Sequence, residues 1–269
     1  MPIIVLALGA GIATASPASA DVPRNNALDF GSVTVLPAQP LKNEAADAAT
    51  YERCMGLARK TPAAAQKLAQ DWAGRGGAHP AEHCLAVALI GLKQYKDAAT
   101  RLESLGQATV HAPAELRAEV FDQAGQAWLM AGDAPRAYAA ETSALGFAAN
   151  NPDLLVDRAE AAGSAGWFDK AAADLDRVLK TNPDRIDALI YRASAYRQLE
   201  KLDEAMADIE KALKLAPDSA EALLERGDIR RLKGDAAGAK QDWQRVASLA
   251  PGSAAATAAK GNIARLDLK

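Results

Sequence analysis

The first residues that could do chemistry are His79, His83 and Cys84, in the stretch Ala78-His79-Pro80-Ala81-Glu82-His83-Cys84. A spacing of four on a helix puts two imidazoles on one face, where with a thiolate they could hold a zinc ion. Two features weaken that reading. Pro80 fits a first helical turn, which leaves His79 at or before the cap, and no acidic or further cysteine ligand sits at metal-binding spacing. An ordinary helix start is the competing reading. Cys84 is also one of only two cysteines, the other being Cys54. In an exported chain an even count suggests a disulfide, which would close a loop of about 30 residues worth about 3–4 kcal/mol of chain entropy. Two buried thiols acting as small apolar groups are the alternative.

Other chemistry is harder to find. The sequence contains no H-E-x-x-H, G-x-S-x-G, C-x-x-C or glycine-lysine phosphate motif, and its 3 histidines limit the choice of a general base. His111 stands alone in a loop and is expected to be solvated. Gly74-Arg75-Gly76-Gly77 lacks a following Lys-Ser or Lys-Thr and reads as a loop. Gly9 and Gly11 have Thr14 at the third glycine position of a dinucleotide turn, and no βαβ pattern follows. Trp128 and Trp243 are expected in the core, Trp167 follows a hairpin glycine, and Trp72 completes the set. No catalytic residue and no cofactor are assigned.

The elements that must carry these residues are helical. Hydrophobic residues make up 49% and aromatics only 5%, so alanine and leucine do the burying, which suits close helix packing. A net charge of −3 gives no electrostatic footprint for nucleic acid or an anionic membrane. Residues 1–20 carry no charge, hold an apolar run from Ile3 to about Ala15 and end in Ala18-Ser19-Ala20, the form of a secretory signal peptide cleaved before Asp21. The run is too short to span a bilayer, which needs about 20 apolar residues. Residues 21–43, with Pro23, Pro37 and Pro40, are expected to be an extended or disordered leader.

The remainder is periodic. Ala137, Ala171, Ala205 and Ala239 follow one another at steps of 34. Four residues after them stand Glu141, Leu175, Ile209 and Trp243, and seven after them Ala144, Val178, Ala212 and Val246. Twelve before them stand the small residues Gly125, Ala159, Ala193 and Gly227. Between the two helices of each unit the turn reads Gly132, Gly166, Glu200 and Gly234, and Pro183, Pro217 and Pro251 close successive units, Pro152 doing so late. Small residues let two helices approach closely, and a glycine ends the first of them. Each unit is therefore a helical hairpin.

This order of large, small and alanine positions resembles the tetratricopeptide repeat. The matching residues are Leu189, Ala193, Tyr196, Ala205, Ile209, Ala212 and Pro217 in the repeat from about 186. They are Leu155, Ala159, Ala171, Leu175, Val178 and Pro183 in the one from about 152, and Leu223, Gly227, Ala239, Trp243 and Pro251 in the one from about 220. In the repeat from about 118, Phe121, Gly125, Trp128 and Ala137 match, but Glu141 replaces an apolar residue. The expected organisation is irregular helical hairpins over 44–117, four repeats over 118–251 (about 118–151, 152–185, 186–219 and 220–251), and a capping helix over 252–269. Upstream, Gln94 to Leu105 reads as a second helix with Ala98 in the key position, and about five residues are inserted near Gly106 to Pro113.

The resemblance implies an all-α, right-handed α-solenoid of antiparallel hairpins whose first helices line a concave groove. Carried by the repeat step, the lining would comprise Glu119, Gln123, Gln126, Asp153, Asp157, Glu160, Asp187, Tyr191, Ser194, Glu221, Glu225 and Asp228, a stripe without lysine or arginine. Glu119, Asp153, Asp187 and Glu221 sit in first helical turns, where acids favour the helix dipole in any case. The Lys and Asn clamp with which some family members hold acidic chaperone tails has no counterpart. The expectation is a non-enzymatic scaffold or adaptor in the bacterial periplasm, monomeric or dimeric, that holds a basic or neutral protein segment. The rival readings are an enzyme or metal-binding protein using the N-terminal half, and a solenoid that self-assembles through its ends.

Overall fold

The computed structural model describes residues 44–267. The expected signal peptide and leader, residues 1–43, lie outside the described residues, as do residues 268 and 269. The described chain forms two compact units that divide within one helix, 44–157 and 158–267. The first contains α1 (Glu44–Lys60), α2 (Pro62–Ala73), α3 (Ala78–Gly91), α4 (Tyr95–Ala108), α5 (Ala114–Met130), α6 (Ala134–Phe147) and the start of α7 (Pro152–Ser164). The second contains the rest of α7, then α8 (Phe168–Thr181), α9 (Ile186–Gln198), α10 (Leu202–Leu215), α11 (Ala220–Leu232), α12 (Ala236–Leu249) and α13 (Ala254–Asp267). No strand occurs among the described residues.

The starts of α6, α11, α12 and α13 are fixed by side chains that accept from otherwise unpaired backbone N–H groups. Asp133 accepts from the N–H of Arg136 (3.2 Å), Ser219 from Ala222 (3.2 Å), Asp235 from Gly238 (2.8 Å) and Ser253 from Ala256 (3.0 Å). Helix α3 begins at Ala78, so His79 lies inside its first turn and not at or before the cap, and the preceding loop shrinks to 74–77. Helix α4 runs on to Ala108 and α5 starts at Ala114, so the loop between them spans residues 109–113.

Every hairpin from α3 onward turns in one way. The residue three positions after the first helix of the pair donates its N–H five residues back: Gln94 to Leu89, Asp133 to Trp128, Trp167 to Ala162, Lys201 to Tyr196 and Asp235 to Arg230, at 2.8–2.9 Å. That bond requires the intervening residue to be left-handed. Gly132, Gly166 and Gly234 take φ of 78°, 78° and 86°, and Lys93 and Glu200 take 61° and 60° without glycine's freedom.

Between the two helices of each hairpin, the alanines of the 34-residue step are completely buried, Ala137, Ala171, Ala205 and Ala239, and so is Ala98 in the matching place upstream of the insertion. Trp128 and Trp243 are fully buried with them. Trp243 occupies the space that a side chain on Gly227 would need, since a Cβ there would lie 2.4 Å from its Nε1. A second periodicity runs through the charged residues. Arg158, Arg192 and Arg226, on the first helix of three repeats, each donate two hydrogen bonds to Asp174, Asp208 and Asp242 on the second, at 2.6–2.9 Å. The forked geometry makes each pair a directional staple at the edge of an apolar interface. A third series links Lys211 to Asp184 (3.0 Å) and Arg245 to Asp218 (2.5 Å), tying second helices to the loop before their own repeat.

In the 44–157 unit, Cys54 on α1 and Cys84 on α3 form a fully buried disulfide. Beside it, His83 is completely buried. Its Nε2–H donates to the amide oxygen of Gln123 on α5 and its Nδ1 accepts from the hydroxyl of Tyr51 on α1, both at 2.7 Å. His83 is thus a joint between three helices.

Two outcomes follow. Glu200→Gly should raise stability by about 0.5–1 kcal/mol, because glycine relieves the left-handed strain and gives back part of the gain as unfolded-state entropy. Urea denaturation of the two proteins checks this, and an unchanged or lowered midpoint would show that the turn holds no strain. Burial lowers the proton affinity of the His83 ring below its ordinary value of 6.5. The stability this neutral ring supplies is therefore present above pH 6.5 and is lost as pH falls below it. The advantage of wild type over His83→Gln should shrink between pH 7.5 and 5.5 by at most about 1.4 kcal/mol per pH unit, read from denaturation midpoints.

Candidate functional site

The expected lining residues fall into two sets, one in each unit. In the 44–157 unit, Glu119 on α5 and Asp153 in the first turn of α7 are exposed, while Gln126 and Asp157 are half-buried. Gln123 is not a lining residue. It is buried and committed to His83. Gln126 donates its amide to Asp122 at 3.1 Å. Asp122 was not anticipated as part of this face, yet it lies at its centre. Its carboxyl is pushed up to about 6, first by burial and further by the charges of Asp153 and Glu119. Burial also pushes Glu119 upward. The groups that raise Asp122 in this way describe a face of negative potential.

In the 158–267 unit the chemistry differs. Asp187, Tyr191, Ser194 and Glu225 are buried, so they form the floor of the face and not its open wall. Asp187 accepts from the Arg185 guanidinium at 2.9 and 3.1 Å. Glu225 is completely sealed and ion-paired at 2.5 Å with Arg197, which reaches across from the last turn of α9. The expectation of a face free of lysine and arginine therefore fails here: Arg197 neutralises its most buried carboxylate. Asp228 accepts from Asn262 of α13 at 2.7 Å, and its carboxyl is raised to about 6 by burial and by Glu225, against the pull of Arg197 and Arg231. Glu221 accepts from Ser219, and Glu160 is half-buried. Arg197 was detectable in the sequence, since it sits three residues after Ser194 and so one turn along the same helix face.

Elsewhere the residues with possible chemistry are absorbed into structure. Among the described residues no group of three His, Cys, Asp or Glu side chains is arranged to hold a metal ion. Cys84 is in the disulfide, His83 is in its three-helix joint, and His111 is exposed in the loop before α5. Trp72 donates to Asp47 at 2.9 Å, and Trp167 is partly exposed with the Lys170 ammonium 4.2 Å from its ring centre. A cleft of about 310 Å³ between α8, α9 and α10 is lined by Asp176, Lys180, Arg192, Asp208 and Lys211. Arg192 is held by both aspartates, and Lys211 by the Pro183 carbonyl and Asp184. The cleft holds ion pairs and no nucleophile. No helix among the described residues is long and apolar enough to cross a membrane.

The Arg197–Glu225 pair is the test of how this face is built. Arg197→Leu leaves a buried carboxylate without its cation and should cost about 3–5 kcal/mol, whereas Arg197→Leu with Glu225→Leu should recover most of that loss. Chemical denaturation of the singles and the double closes the cycle, and additive effects would contradict the pairing.

Comparison with known proteins agrees with this architecture. The tetratricopeptide repeat profile matches residues 156–220 and 207–254. No curated protein shows significant sequence similarity to the chain. Among solved structures, residues 41 to the end of MamA from Desulfovibrio magneticus superpose with a TM-score of 0.55 at 19% identity, covering 64% of this chain and 94% of that one. TTC0263, a tetratricopeptide protein of Thermus thermophilus, gives 0.55 at 19% identity, covering 71% and 100%. YrrB, described as a tetratricopeptide protein with an unusual peptide-binding site, gives 0.51 at 17% identity, covering 67% and 91%. At such identities the likeness is one of fold. The profile match marks residues 156–254 as tetratricopeptide repeats, and the helical hairpins with their 34-residue step are similar in fold to solved tetratricopeptide proteins.

Proposed function

We propose that the chain is a non-enzymatic protein-interaction scaffold, exported to the bacterial periplasm, that holds a basic or neutral segment of a partner protein. The observation that carries the reading is that Glu119 on α5 and Asp153 on α7 stand exposed in the 44–157 unit, both acting as anions on Asp122. A lysine- or arginine-bearing segment would lower the free energy of that face on binding, and its approach would be accelerated by the same field. The buried pairing of Glu225 with Arg197 makes the 158–267 unit a weaker source of such attraction.

Two further observations support export. The first 20 residues have the composition of a cleaved secretory signal, and the described chain keeps its only two cysteines in a disulfide, which persists in oxidising compartments. Binding is also the role that fits a surface without a convergent nucleophile, base and oxyanion stabiliser. Peptide binding by the structurally similar YrrB accords with the same use of the fold.

The reading is tested by placing photo-cross-linking residues at Glu119 and Asp153 on the proposed face and at Thr100 and Ser143 on exposed outer helices, in the native bacterium. Adducts to a protein are expected at the first two positions and not at the second two. The captured segment, synthesised as a peptide, should bind Glu119→Lys with Asp153→Lys about tenfold or more weakly, and salt should weaken its binding to wild type. Equal adducts at all four positions, or binding unaffected by the charge reversal, would overturn the proposal.

A further inference from the structure

Helix α5 carries one open line along its length. Glu119, Asp122, Gln126 and Met130 follow one another at steps of three and four, so they share one face of the helix. Glu119 is exposed, Asp122 and Gln126 are half-buried, and Met130 in the last turn is 39% exposed. Asp122 takes the Gln126 amide through Oδ2 at 3.1 Å, and its Oδ1 is sealed from solvent. The line therefore begins with the outward charge of Glu119, passes over a tied polar pair and ends on an apolar side chain. At about 1.5 Å per residue the two ends lie about 16 Å apart.

Between Asp97 and Asp157 the chain has no lysine, and its three arginines are engaged elsewhere: Arg101 with Glu82, Arg117 with the Gly106 carbonyl and Arg136 with Glu103. No cation of that stretch is left to screen Glu119. A face with an acid at one end and a flexible thioether chain at the other matches a partner that is basic at one end and apolar at the other. A helix laid along α5 repeats its facing positions at the same steps, so a cation and an apolar group eleven residues apart on it meet both ends at once. We propose that the partner segment is an amphipathic helix lying along α5, with lysine or arginine at Glu119 and a large apolar side chain on Met130. This rests on the reading of the chain as a scaffold for a basic or neutral segment, and adds the segment's conformation and its second anchor.

Helix α11 carries the same line in a closed form. Glu221, Asp228 and Leu232 stand three repeat steps after Glu119, Gln126 and Met130. Leu232 is 44% exposed, so the apolar end is present. The acids are not open: Glu221 accepts from Ser219, Asp228 accepts from Asn262 of α13, and Glu225 between them is sealed under Arg197. A basic helix finds an apolar anchor on α11 but no outward charge to go with it. The two lines therefore separate the anchor alone from the anchor with its acid, and Leu232 serves as the matched control for Met130.

Two alanine-rich helical peptides of one composition test this by fluorescence anisotropy with the full chain. In the first, a leucine follows the leading lysine by eleven residues, and in the second the leucine is moved by two residues, which turns it to the far side of the helix. The chain should bind the first at least about fivefold more tightly than the second, and Met130→Gln should remove that preference. Leu232→Gln should leave it unchanged, and Glu119→Lys should weaken both peptides alike. The carbon-13 resonance of the Met130 ε-methyl gives a second reading, since it should shift with the first peptide and stay in place with the second. Equal affinity for the two peptides, a preference that survives Met130→Gln, or binding of neither peptide overturns the proposal. If the two peptides bind equally and Glu119→Lys still weakens both, the basic-partner reading stands without the helix, whereas no effect of Glu119→Lys on either removes that reading as well.

Discussion

Two helices of one hairpin can approach only as closely as the smallest residues between them allow, and the rest of this structure depends on that limit. Ala137, Ala171, Ala205 and Ala239 are completely buried on the second helices, and the small residues Gly125, Ala159, Ala193 and Gly227 are buried on the first, Gly125 against Glu141 and Gly227 against Trp243. None of these small side chains brings much apolar area of its own. They set a spacing at which Leu175, Ile209 and Trp243 on the second helix meet their partners on the first, and burial of those larger groups supplies the free energy. Where a larger group sits, its opposite number shrinks, as Gly227 does under Trp243. Polar staples then secure a geometry that apolar contact alone leaves free to slide.

That constraint is why the fold was so legible. A spacing condition repeated every 34 residues leaves a trace in residue size, and size can be read directly from a sequence. The left-handed turns were legible at Gly132, Gly166 and Gly234, and Glu200 could be placed among them only by the step. What escaped were properties that depend on where a long side chain ends. Arg197 reaches from one repeat into the next to seal Glu225, and His83 spans three helices through Tyr51 and Gln123. Residues with reach of that kind were assigned by the direction of their Cα–Cβ bond, which says little about a guanidinium some 6 Å further out. The paired arginines and aspartates of the three regular repeats were readable by the same step as the alanines. Their partners lie 16 residues apart on different helices, so the pairing shows in the register and not along either helix face.

The same register separates the repeats by kind. The three that carry the Arg158, Arg192 and Arg226 staples have apolar interiors, while the repeat over 118–151 has Ala124 and Ala140 at the staple positions and two acids inside. Polar energy in this repeat has moved from the rim of the hairpin to its centre. The staples are largely buried, forked pairs that hold one geometry, whereas the carboxyl of Glu141 depends on the room left by a single glycine, Gly125.

The disulfide has a consequence of a different sort. Cys54 and Cys84 join α1 to α3 across the whole of α2 and the short glycine-rich loop at 74–77, where Gly74, Arg75 and Gly76 are exposed. A protease that nicks this loop severs the chain without releasing a fragment, because both new ends stay tethered through the buried sulfurs. The amino-terminal helices would therefore survive such a cut as a two-chain assembly, fully bonded until a reductant reaches a bridge that solvent does not touch.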